Sequence, residues 1–249
     1  MKLPFQKKKI TIIQNQSEIS NKMETEEPLY EQYCSDLILD FSIFLDQHIN
    51  SDCLLKLLDG KQTKLYCHKI ILANASQFFH NVFTSGMEEE KTAEVEIKCN
   101  PLNQFPHVLR FIYTSSIDIN DDNVMAIFEI AHFYEIQILE EFIKQNLSTV
   151  DPSKIMIYTK SCYDNELTEA LKILIPYMAQ YYDRIQLSEF SLNLDIKIFC
   201  NVLSLAIENG TFKGDINKEL DEFLNGTSPN QEEKAEIDKL INYYRSFVH

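Results

Sequence analysis

Beyond Asp151-Pro152 the chain carries helical periodicity and no other pattern, and that one-sided distribution limits the folds open to it. An Asp cap followed by Pro at the first helical position opens a helix there. Apolar spacing then supports helices over 155–161, 167–182, 196–208 and 232–247. The clearest late loop is Asn225-Gly226-Thr227-Ser228-Pro229. Strand signals occur only earlier, so the expectation is a small α+β domain joined to an all-α one.

In the first part, Leu37, Ile38, Phe41, Phe44 and Leu45 fall on one face of a predicted helix over 30–46. A hairpin follows. The apolar run 53–58 and the returning strand 64–67 flank Asp59-Gly60, a dipeptide suited to a type I′ turn. Residues 68–83 switch to helical spacing through Ile71, Leu72, Ala75, Phe78, Phe79 and Val82, and Gly86 marks the end. Residues 94–98 alternate and read as a third strand. Asn100-Pro101 opens a helix to about Tyr113. Asp122 caps a last apolar stretch, Val124 to Ile143, which breaks near 135–137. Residues 1–28 read as a flexible tail with one short strand at 10–13.

Charge excludes some partners. The net charge is −15 and arginine occurs three times, at Arg110, Arg184 and Arg245. Such a chain lacks the cationic footprint of a nucleic-acid binder and suits an anionic membrane surface poorly. The six cysteines form no CxxC pair and are irregularly spaced, so they read as buried thiols of a reducing compartment. No segment reaches the ~20 apolar residues of a membrane span, and the N-terminus lacks an export-signal core. Cytoplasm or nucleus is the expected location.

There is no Gly-rich phosphate loop, no GxSxG and no HExxH, so the expectation is a non-enzyme without a cofactor. His68 beside Cys67 has no second pair to share a metal and reads as a structural residue at a strand–helix junction. Asp118-x-Asn120-x-Asp122 with Glu129 has calcium-loop spacing. Asn123 stands where the loop needs Gly, however, and a helix begins near Val124.

Four blocks carry a family resemblance. They are Asn50-Ser51-Asp52-Cys53-Leu54, the run Cys67 to Phe79 with His68-Lys69 at its start, Phe111-Ile112-Tyr113-Thr114-Ser115, and Ala131 to Leu139. In that order and spacing they resemble a BTB/POZ domain, over roughly 34–148. Residues 151 to about 208 resemble, by position and periodicity, the helical BACK domain that often follows it. The expected layout is a tail at 1–28, a BTB/POZ domain at 29–148 and a BACK-like helical domain at 151–249.

The resemblance implies a protein–protein interaction adaptor that forms a homodimer. Leu37, Phe41, Phe44 and Ile71 would lie at the dimer seam, with Asp52 and Lys69 as a charged pair at its base. It also implies recruitment of a cullin-3 ubiquitin-ligase scaffold through Met87-x-Glu89, with Phe83 beside it, and delivery of an unidentified target protein. The alternative is an oligomeric scaffold without a ligase. Some BTB dimers exchange an N-terminal strand, and 10–13 is the candidate here. From the residues alone, Phe41 and Phe44 also read as core, Asp52 as a loop end, Lys69 as a solvated helix start, and the acidic run after Gly86 as a solvated loop.

Overall fold

The computed structural model describes residues 8–11, 41–48, 50–58, 60–61, 63–86, 88–147, 150–184, 195–224 and 228–248. The chain divides into two compact units, Phe5–Glu140 and Glu141–His249.

In the first unit, β1 (Lys8–Thr11) is followed by a 3₁₀ turn at Ser42–Phe44. β2 (Cys53–Leu57) and β3 (Lys64–Cys67) pair antiparallel, with Cys53 opposite Cys67 and Lys56 opposite Lys64. β4 (Glu94–Ile97) adds to the other side of β2 in parallel, giving the order β3-β2-β4. A parallel pair needs a long crossover. Here it is made by β3 and three short helices, α1 (Lys69–Ala75), α2 (Gln77–Thr84) and α3 (Glu88–Thr92). The period-2 alternation of β2 and β4 turns Leu55, Leu57, Val95 and Ile97 inward, all nearly fully buried.

α4 (Phe105–Thr114) leads into β5 (Ser116–Ile119), which pairs antiparallel with β1: Lys9 stands opposite Asp118 and Ile10 opposite Ile117. α5 (Val124–Phe133) is buried on nearly every side, from Val124 to Phe128 and again at Ile130 and Ala131. A helix apolar all round belongs in the middle of a core. α6 (Gln137–Leu147) follows a turn in which Glu135 takes φ 51°.

Tyr134 organises the aromatic core. Its ring stacks on Phe79 at 5.6 Å and 3° and meets Phe78 and Phe105 edge-on at 5.1 and 5.2 Å. Its hydroxyl accepts the Cys99 amide at 3.0 Å. Tyr113, fully buried, does the same for the strand–helix junction: its hydroxyl accepts the His68 amide at 2.9 Å and lies 3.0 Å from His68 Nδ1. Burial holds both phenols protonated, well above the usual tyrosine range.

The second unit is helical: α7 (Pro152–Asp164), α8 (Thr168–Gln180), a 3₁₀ turn at Tyr182–Arg184, α9 (Ile196–Glu208), α10 (Ile216–Leu224) and α11 (Gln231–Val248). Asp151 caps α7 by accepting the Ser153 amide at 3.0 Å, as the Asp-Pro signal predicts. Phe199 of α9 stacks on Phe223 of α10 at 4.0 Å.

Several sequence expectations need correction. The predicted helix over 68–83 is two helices, because Ser76 takes an extended conformation (φ −142°, ψ 122°) and caps α2 with its own side chain. The hairpin is not closed by a two-residue turn. The Leu57 amide donates to the Thr63 carbonyl at 2.9 Å, so the loop is wider, and Asp59 lies outside the described residues. Asn100-Pro101 opens a single 3₁₀ turn, Pro101–Asn103, inside which Leu102 takes φ 50°, and Gln104 stands between it and α4. Asn100 Oδ1 accepts the Phe105 amide at 2.8 Å, so it caps the later helix. Residues 41–46, expected to end a long helix, form one 3₁₀ turn closing at Asp46 with φ 53°. Residues 30–40, including Leu37, lie outside the described residues, as do 12–13 of the expected first strand. Asp122 does not cap α5: Asn123 stands at its N-cap without a side-chain cap bond, and Asn120 holds the turn before it. Its Oδ1 accepts the amides of Asp122 and Asn123 at 2.8 and 3.1 Å, which turns an oxygen of the calcium-like spacing onto the backbone.

Candidate functional site

Two surfaces of the first unit combine apolar floors with specific polar groups. The first is a pocket of about 460 Å³ lined by Phe41, Phe44, His68, Ile70, Ile71 and Ile112, among others. The 3₁₀ turn supplies the two phenylalanines, with Phe41 fixed by its amide donating to the Tyr113 carbonyl at 2.9 Å. The start of α1 supplies Ile70 and Ile71, and α4 supplies Ile112. Phe44 meets the His68 ring edge-on at 5.7 Å. His68 Nε2 is buried and has no hydrogen-bond partner among the described residues, a polar atom that an incoming acceptor or donor would satisfy. Two isoleucines here are left to water: Ile70 of the pocket lining is 78% exposed, and Ile43 of the 3₁₀ turn 72%.

The second surface is a groove of about 400 Å³ between α2, α3, β4 and the end of α5. Phe78, Val82 and Phe133 form its apolar floor. Glu88, Glu89, Glu94 and Glu96 rim it, and the cations on it are Lys56 and Lys98. Lys56 is already paired with Glu94. The rim is therefore acidic on balance and suits a basic amphipathic segment.

The expected site residues distribute over these surfaces. Phe41, Phe44 and Ile71 come together in the pocket, and Glu89 lies on the groove. Phe83, on α2, is buried and does not line the groove, and Met87 is outside the described residues. Asp52 and Lys69 do adjoin, but the link differs from a charged side-chain pair. Asp52 Oδ1 accepts the Lys69 backbone amide at 2.7 Å, at the first turn of α1, where a carboxylate is favoured. The Lys69 ammonium points elsewhere, to the Glu90 carbonyl at 3.4 Å and the Phe83 ring at 5.6 Å.

Sequence reasoning did not single out Ile43, Ile70, Phe78, Val82 and Phe133 as surface contacts. Periodicity reports that a residue is apolar on a helix, and it does not report which apolar residue the fold leaves uncovered. The thiols are poor nucleophiles: burial pushes Cys53, Cys99 and Cys200 up to about 12.

The family model described as BTB/POZ domain matches residues 41–150, which include both surfaces. The chain carries a BTB/POZ domain. Kelch-like protein 7 of Mus musculus is 26% identical over 192 residues, covering 75% of this chain and 32% of that protein. An alignment of that length extends past the BTB/POZ domain. Kelch-like protein 40a of Danio rerio is 35% identical over 113 residues, 45% of this chain and 18% of its own. The solved BTB domain of zebrafish PATZ1 aligns with 51% of this chain and 99% of its own, at 20% identity and TM-score 0.39. The chain thus spans about a third of the kelch-like protein 7 that it matches. Among the described residues no helix is long and apolar enough to cross a membrane, and no group of three or more His, Cys, Asp or Glu residues is placed to hold a metal.

Proposed function

We propose that this chain is a homodimeric adaptor. Its BTB/POZ domain pairs with a second copy through the His68 pocket, and its acidic groove holds a cullin-3-type scaffold. The helical second unit acts as a BACK-like partner domain and presents a target protein. The mechanism is positioning, with chemistry left to the assembled partners, in the cytoplasm or nucleus. The observation that carries the reading is the groove itself. An apolar floor of Phe78, Val82 and Phe133 lies under a rim of glutamates that includes Glu89, one of the residues to which the family resemblance assigns partner contact. Apolar contact supplies affinity there and the carboxylates fix register and partner sign.

Size-exclusion chromatography with light scattering tests this directly, with and without the cullin-3 N-terminal domain. A dimer that gains one cullin per protomer, and loses it in Met87→Ala/Glu89→Ala, is the expected result. A dimer that ignores cullin at micromolar concentration leaves the second reading, an oligomeric scaffold without a ligase. The exposure of Ile43 and Ile70 calls for self-association under either reading, whatever the groove binds.

Within one chain β1 pairs antiparallel with β5, and we propose that in the dimer the same pairing forms between copies, with β1 exchanged. Deleting residues 1–28 without loss of dimer stability would rule it out.

A further inference from the structure

Lys69 lines neither surface, yet its two ends reach toward both. Its amide is fixed by Asp52 at 2.7 Å, one residue before Ile70 of the pocket. Its ammonium lies 5.6 Å from the centroid of Phe83 and 3.4 Å from the carbonyl oxygen of Glu90. Glu90 belongs to α3, and α3 carries Glu88 and Glu89 of the groove rim.

A helix of five residues has no stability of its own, since nucleation alone outweighs its few hydrogen bonds. Left-handed residues bound α3 on both sides, Gly86 at φ 75° and Ala93 at φ 57°. Its position therefore depends on tethers. The Gly86 amide donates to the Glu90 carboxylate, and the Leu54 amide of β2 donates to the Ala93 carbonyl at 2.8 Å. The Lys69 ammonium on the Glu90 carbonyl is the tether from α1. A cation over an aromatic face and a carbonyl acceptor together hold a flexible lysine in one place.

We propose that Lys69 is a positioning residue for the groove. It holds α3, and with it Glu88 and Glu89, where a partner's cations meet them, and it touches the partner nowhere. The inference rests on the groove being a partner site and adds the residue that sets its geometry. Hydrogen exchange on the full chain tests it, comparing wild type, Lys69→Met and Lys69→Arg, alongside titration with the cullin-3 N-terminal domain.

In Lys69→Met, amides over 86–93 are expected to exchange about tenfold faster or more, while those of β2 and α5 keep their rates. Cullin affinity falls about tenfold in the same variant, and Lys69→Arg, which keeps the charge and the ring contact, restores both. Unchanged exchange over 86–93 overturns the proposal, as does faster exchange with unchanged cullin affinity. If the wild type ignores cullin, the partner reading fails and exchange alone decides the role of Lys69. Should Lys69→Met exchange everywhere, Lys69→Gln replaces it with the same expectation.

Discussion

The Ser76 hydroxyl donates to the Tyr134 carbonyl at 2.5 Å and its oxygen accepts the Phe79 amide at 3.1 Å, so one buried side chain both splits a helix and ties it to the turn after α5. Ser76 is 2% exposed, and water cannot replace either bond. Ser76→Ala is expected to cost about 2 kcal/mol, combining a lost cap with an unmet buried carbonyl. Urea unfolding measures it. A loss below about 0.5 kcal/mol would show that the two bonds contribute nothing net.

Ile70 gives the opposite kind of variant. A side chain 78% exposed contributes little to the fold of a single copy. Ile70→Asp should leave unfolding of the protomer within about 0.5 kcal/mol of wild type, because an acid near a helix start is well placed. Self-association, followed by sedimentation across a dilution series, should weaken about tenfold or more if the pocket face is the seam.

In the second unit, Phe223 lies flat on Phe199 at 4.0 Å and is 8% exposed. Phe223→Ala removes the main apolar anchor of α10 and should cost about 3–4 kcal/mol. Thermal unfolding with a limited-proteolysis readout over 216–224 checks both the size and the place of the effect.

The thiols set a pH dependence. Burial raises Cys53, Cys99 and Cys200 from 9.0 to about 12, so the folded state keeps protons that the unfolded chain releases. Their contribution to stability is fully present below pH 9 and is lost as the pH rises from 9 to 12. At pH 8 these native thiols should react with iodoacetamide roughly a thousandfold more slowly than in urea, from the smaller thiolate fraction alone. Native alkylation of Cys200 at the rate of an unfolded thiol would contradict the burial.

The sequence exposes some of this architecture and hides the rest for identifiable reasons. Glu94-Val95-Glu96-Ile97 is legible because a strand with one wet face must alternate. Asp151-Pro152 is legible because cap and Pro restrict the same peptide. The break at Ser76 is hidden: apolar residues continue on the helical period across it, and what stops the helix is a carbonyl 58 positions away, at Tyr134. β5 is hidden because Ser116-Ile117-Asp118-Ile119 is short and its partner is β1, far away in sequence. Phe41, Phe44 and Ile71 could be placed through the resemblance. Ile70, Phe78, Val82 and Phe133 could not, because exposure is a property of the assembled unit. The family pattern pairs the Lys69 side chain with Asp52, whereas in the fold Asp52 takes the Lys69 amide and the ammonium lies on the Glu90 carbonyl.

The β1–β5 ribbon has a consequence for the order in which the protein assembles. Closing it joins segments on the order of a hundred residues apart, so its entropy is spent after the local helices and the hairpin have formed. β1 is synthesised long before β5 and waits through the whole synthesis of the domain for a partner. During that wait a nascent chain on a neighbouring ribosome offers the same β5 edge. Copies translated from one message therefore have an opportunity to pair that copies mixed after folding lack, and subunit exchange between preformed assemblies should be slow compared with assembly during synthesis.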